Sequence, residues 1–147
     1  MMNSILVAVD GSPLSKRAFE QALSHADSTV VALHVIDPTD PGYSAPSNAD
    51  ISTEPLHGSE EWYERAQELA DGIFEELAAV ADGSEVELRT ETLRGDPART
   101  IVDFARRESV DAVYLGGHGR AGETDLLFGS VAELVAGRAP VSVMVVR

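Results

Sequence analysis

The chain of 147 residues contains no cysteine. Disulfides, thiolate catalysis and cysteine-based metal sites are therefore excluded. No apolar run approaches the roughly 18 residues needed to span a membrane. Met1-Met2-Asn3-Ser4 leads straight into an apolar segment, without a basic stretch or a small-residue cleavage site. No signal peptide and a cytoplasmic location are expected. Basic residues are scarce, with 11 Lys+Arg against 25 Asp+Glu for a net charge of −14, and Lys16 is the only lysine. Such a charge repels nucleic acid and anionic membrane surfaces, so neither is expected as a partner. The acids are spread over predicted helix surfaces and do not form a tail. A dispersed acidic coat with one lysine points to a halophilic protein in a salty cytoplasm.

The length fits one domain, residues 1–147. Along it, short apolar runs alternate with amphipathic stretches. Ser4 to Val9 reads as a buried strand ending before Asp10. Ser12-Pro13 opens a helix to about Ala26, with serine as cap and proline in the first turn. Thr29 to Ile36 is a second buried strand. Four prolines mark Asp37 to Ser59 as a long loop. Glu60 to Ala81 is the longest helix, with Trp62, Ala66, Leu69, Ile73 and Leu77 as its apolar stripe. Glu85 to Leu93 alternates like a strand with one covered face. Asp96 caps and Pro97 opens a third helix. Ala112 to Leu115 and Val141 to Val146 are the last strands, separated by a glycine-containing loop and a short helix from Gly129-Ser130. Strands separated by helices pair in parallel through right-handed crossovers. The expected fold is an open, doubly wound α/β sheet with helices on both faces.

The informative stretch is Gly116-Gly117-His118-Gly119, followed after nine residues, Arg120 to Phe128, by Gly129-Ser130. It begins at a strand's carboxyl end, where ligands bind in open α/β sheets, and it finishes at a helix start. Glycines let backbone N–H groups converge on a ligand, and a helix start adds unpaired N–H groups and a positive dipole end. The residues alone admit two readings: a polyphosphate cradle, or a tight loop in which Ser130 is only a cap.

Two rival motifs fail on context. Gly117-x-Gly119-x-x-Gly122 has the spacing of a dinucleotide fingerprint, but only one strand follows and it carries no acid. The P-loop pattern needs Gly-Lys-Ser/Thr, and Lys16 is far away in sequence.

The full pattern, Gly-x2-Gly-x9-Gly-Ser, resembles the ATP-binding signature of the universal stress protein family. The resemblance runs nearly end to end: Ile5-Leu6-Val7-Ala8-Val9-Asp10-Gly11-Ser12, Leu33-His34-Val35-Ile36, Gly95-Asp96-Pro97, Gly129-Ser130-Val131 and Ala139-Pro140-Val141 through Val146. It implies a five-stranded parallel sheet of order 3-2-1-4-5, usually dimeric. By position it implies that Ala8, Val9 and Asp10 line the adenosine and that Val35 touches the adenine. Leu115 and Gly116 would line the ribose side, and Gly119, Gly129, Ser130 and Val131 would hold the phosphates. Ala132 departs from the pattern, where members often carry a Ser or Thr that adds a phosphate contact. The cofactor implied is ATP with Mg²⁺ or Mn²⁺ bridging its phosphates, since Mg²⁺ takes few protein ligands. The partner implied is a second copy, joined through the C-terminal strand 141–146.

The remaining candidates read as structural. His34 is expected to be buried and hydrogen-bonded, His118 a loop residue, and His25 and His57 surface residues. The histidines lack helical metal-site spacing. Glu60-Glu61 and Glu75-Glu76 read as solvated helix faces. No nucleophile–base pair or catalytic carboxylate pair is evident. Binding is thus favoured over catalysis: a nucleotide-dependent regulatory or stress-response protein, with a slow ATPase or a nucleotide-independent dimeric module as alternatives.

Overall fold

The computed structural model describes residues 2–39, 58–117 and 130–147. In chain order it contains β1 (Met2–Ala8), α1 (Pro13–His25), β2 (Ala26–Ile36), α2 (Glu60–Ala81), β3 (Glu87–Arg94), α3 (Pro97–Glu108), β4 (Ala112–Gly116), α4 (Ser130–Arg138) and β5 (Ser142–Val146). All strand pairs are parallel, in the order β3-β2-β1-β4-β5. Helices α1 and α2 cover one face, and α3 and α4 the other. This is the expected doubly wound sheet.

The central strands are apolar because both of their faces are covered. Ile5 and Val7 enter the core under α1 and α2, while Leu6 enters the core under α3 and α4. Val30 and Ala32 alternate with Val31 and Leu33 in the same way. In α2, Trp62, Ala66, Ile73 and Leu77 are buried as the stripe predicts, with Ala70 buried where Leu69 is only partly so.

The helix starts follow their capping residues. Ser12 Oγ accepts from Ser15 N at 3.2 Å, Ser59 Oγ from Trp62 N at 3.2 Å, and Asp96 Oδ2 from Arg99 N at 2.9 Å. Each such cap contributes about 1 kcal/mol. Several strand boundaries differ from the sequence reading by one to three residues. β2 begins at Ala26, not Thr29, because Ala26 turns extended while its N–H still donates to Ala22 O. The helix therefore passes into the strand without a loop. β3 begins at Glu87, not Glu85, because Ser84 Oγ accepts from Val86 N at 3.1 Å and holds a turn. β1 ends at Ala8, one residue short of Val9.

The charge distribution bears on stability. Seven acids of α2, Glu60, Glu61, Glu64, Glu68, Asp71, Glu75 and Glu76, are exposed. Ion pairs among the described residues, such as Arg106–Asp103 at 3.8 Å, lie at the surface, where each is worth little. Repulsion among the acids is screened over about 3 Å at 1 M salt but acts over about 30 Å at 0.01 M. Lowering salt between these levels is expected to reduce Tm by roughly 5 °C. Calorimetric scans at the two salt levels check this, and an unmoved Tm would show that the acidic coat does not strain the fold.

Candidate functional site

The strand order sets the location. From β1 the chain crosses through α1 to β2 on one side, while β4 pairs with β1 on the other side. The crossovers therefore diverge between β1 and β4, and a crevice opens outside their carboxyl ends. Ala8 ends β1, Gly116 ends β4, and the pairing of Val7 with Tyr114 brings these ends level. α4 precedes the parallel strand β5, so its first residue, Ser130, lies toward the carboxyl ends.

The turn after β1 is built from short polar side chains. Gly11 adopts φ 84°, which only glycine takes freely. Asp10 Oδ1 accepts from Ser12 N at 2.9 Å. Ser15 is buried; its Oγ donates to Ser12 O at 3.0 Å and lies 3.4 Å from Asp10 N, which donates to it. Asp10 therefore shapes the turn, while Ser12 caps the helix.

On the other wall, Gly116 lies against the first turn of α1. A Cβ there would sit 2.8 Å from Leu14 Cβ and 2.9 Å from both Leu14 C and Ser15 N. Gly117 N donates to Val146 O at 2.7 Å and ties the end of β4 to β5. Lys16 does not supply a free cation: its Nζ lies 2.9 Å from Glu76 Oε1, and that hydrogen bond and charge raise its pKa above the ordinary value.

His34 is buried, as the sequence predicts, and its Nδ1 lies 2.7 Å from the Val9 carbonyl. Val9 lies just beyond the end of β1, and its carbonyl accepts from this buried ring. Among the other predicted residues, Val9 and Leu115 are 3% exposed, Val35 is 8% exposed, and Val131 is half-buried. Ser130 is exposed. The structure thus places Ala8, Val9, Asp10, Leu115 and Gly116 at the adjacent carboxyl ends of β1 and β4, with Val35 next to the last residue of β2. Gly119, Gly129 and His118 lie outside the described residues. Among the described residues no group of three or more His, Asp or Glu is placed to hold a metal.

Sequence reasoning missed two features. His25 is exposed as expected, but its Nδ1 lies 2.6 Å from the Tyr114 hydroxyl, whose pKa burial pushes up. Asp111 Oδ2 accepts from Asn3 N and Ser4 N, both at 2.9 Å, and fastens the start of β1 to that of β4. Neither pair has a local sequence signal, because each joins residues far apart in the chain.

A parallel five-stranded sheet in this order, with a polar turn and a glycine-ended strand at its switch point, defines an open, doubly wound α/β domain. The whole chain, residues 1–147, matches the model of the universal stress protein family, and the protein belongs to that family. The universal stress protein MJ0531 of Methanocaldococcus jannaschii is 33% identical over 151 residues, covering 100% of this chain and 83% of that protein. The structure of UspA from Lactobacillus plantarum is 28% identical, with a TM-score of 0.78 over 99% of this chain and 97% of its own. A universal stress protein from Archaeoglobus fulgidus, solved in complex with dAMP, shares the fold at 20% identity, with a TM-score of 0.62 over 100% of this chain and 98% of its own. Among the described residues no helix is long and apolar enough to cross a membrane.

Proposed function

We propose that this protein, acting as one domain in a salty cytoplasm, binds ATP at the switch-point crevice and serves as a nucleotide-dependent regulatory protein. The observation that carries the reading is the convergence of β1, β4 and the start of α4 at a crevice whose walls are Asp10 and Gly116. Ala8, Val9 and Asp10 line the adenosine, Val35 touches the adenine, and Leu115 and Gly116 line the ribose side. Gly119, Gly129, Ser130 and Val131 hold the phosphates. The bound dAMP of the Archaeoglobus fulgidus relative supports an adenine nucleotide over other anions. With the one lysine engaged by Glu76, Mg²⁺ or Mn²⁺ bridging the phosphates neutralises their charge. A switch retains intact ATP, whereas a slow ATPase releases phosphate. Purified protein incubated with Mg²⁺ and ATP is expected to hold nucleotide with no catalytic phosphate release. Steady multiple-turnover release would replace the switch with an ATPase.

The same reading includes a homodimer through β5. Of the two sheet edges, β3 carries Arg89 beside Glu91 and Glu108, at 3.9 and 3.5 Å, and charged side chains on an edge strand discourage strand addition. β5, Ser142-Val143-Met144-Val145-Val146, carries no charged residue. Met144 on β5 and Leu134 on the neighbouring α4, the exposed large hydrophobics among the described residues, flank it. Pairing with its two-fold mate satisfies the open backbone and covers these side chains. Light scattering in high salt is expected to give twice the 15.7 kDa chain mass, and Val143→Asp is expected to shift it to monomer. A wild-type monomer at micromolar concentration would rule the interface out.

A further inference from the structure

We infer that Met144 is an oxidation site on the pairing edge of the sheet: a peroxide converts its thioether to the sulfoxide, and the oxidised chain parts from its mate. The parting rests on the dimer reading above, whereas the oxidation does not.

The chain has no cysteine, so its three methionines hold all of its sulfur. Two of them are among the described residues. Met2 packs against the core under α1 and α2, with its sulfur 4.0 Å from the Tyr114 hydroxyl. Met144 is 37% exposed on the edge strand β5. A peroxide must touch the sulfur to oxidise it, so Met144 reacts ahead of Met2. In this step the sulfur lone pair attacks one peroxide oxygen, an S–O bond forms and the O–O bond breaks. With a proton shift the other oxygen leaves as water. The sulfur is oxidised by two electrons and the peroxide is reduced by two.

The strand pattern places this sulfur at the centre of the dimer. Val143 and Val145 pack toward α3 and α4. Met144 lies between them, so it faces the α1 side, as does Tyr114 opposite it on β4. When two copies of β5 pair about a two-fold axis, residues opposite each other point to the same face, and one residue lies opposite its own mate. Full overlap of Ser142–Val146 makes that residue Met144. Side chains directly opposite come within about 4.5–5.5 Å at Cβ. Two thioethers fill such a space well, being apolar and flexible. Two sulfoxides do not. Each S=O group only accepts hydrogen bonds, so two facing each other leave one another unsatisfied. Dissociation returns both to water.

The test treats wild-type protein with hydrogen peroxide, maps the oxygen by peptide mass spectrometry and follows the mass in solution by ultracentrifugation. Met144 is expected to gain oxygen roughly tenfold faster than Met2, and faster in dilute protein, where the free chain prevails, than in concentrated protein. The dimer dissociation constant is expected to rise roughly tenfold or more on oxidation and to recover after treatment with methionine sulfoxide reductases. In Met144→Leu, peroxide is expected to leave the variant's own dissociation constant where it was. Equal rates at Met2 and Met144 would overturn the oxidation site, whether or not the protein is a dimer and without any variant having to fold. A dissociation constant unmoved by oxidation of Met144, or moved as far in Met144→Leu, would overturn its effect on pairing. An untreated wild type that is monomeric at every concentration would overturn the dimer reading and the parting together, while the two oxidation rates still decide the site.

Discussion

Replacing Gly116 by alanine is expected to destabilise the fold by about 3 kcal/mol, the sum of an overpacking cost and a damaged helix cap. The added Cβ would stand 2.8–2.9 Å from Leu14 Cβ, Leu14 C and Ser15 N. Two of these are main-chain atoms of the first turn of α1, so a rotamer change cannot relieve them. The helix start has to move, and it is the element that Ser12, Ser15 and Asp10 hold together. Displacing it loosens the turn after β1, which is one wall of the crevice. For a chain of this size Tm is expected to fall by roughly 10 °C. Gly72 provides the opposite case. It lies within α2 with nothing within 4 Å of an added Cβ. Gly72→Ala is expected to gain about 1 kcal/mol from helix propensity. Thermal melts of both variants test the contrast. An unchanged Tm for Gly116→Ala would mean that strand and helix are not in close contact.

Much of this architecture was legible in the residues. Apolar runs marked four of the five strands, because a parallel sheet covered on both faces leaves few polar positions in its centre, and the edge strand β3 showed as an alternation of polar and apolar residues. Ser12 and Asp96 announced their helices, because capping is local chemistry. The boundaries were less legible. The Val9 carbonyl just past β1 is bonded by the His34 ring, which reaches across from another strand, and nothing near Val9 in sequence records that. The closeness of Gly116 to α1 was equally hidden: the glycine suggested an open loop, while the structure uses it for contact between a strand end and a helix start. Asp111 is one of 25 acids and carries no local signal that it is the clasp on the start of β1. The assignment of the crevice walls came from resemblance, and the strand order places those residues at the switch point.

The second large effect is on ligand affinity. Replacing Gly129 by valine is expected to weaken ATP binding at least 100-fold, about 2.7 kcal/mol, while leaving the fold intact. In the Gly-x2-Gly-x9-Gly-Ser pattern, Gly129 immediately precedes Ser130, the first residue of α4. A phosphate that approaches a helix start is bound by main-chain N–H groups, and a glycine just before it allows that close approach. A branched side chain at that point would stand between the phosphate and the amides. On a protein of net charge −14 there is no general attraction for an anion to make up the loss. The decisive measurement is a calorimetric titration of Mg²⁺-ATP into wild-type protein and into Gly129→Val, each verified as folded by its melt. Binding of one ATP per wild-type chain, weakened at least 100-fold in the variant, is the predicted result. No heat of binding to the wild type, or equal affinities for the two proteins, would contradict the account.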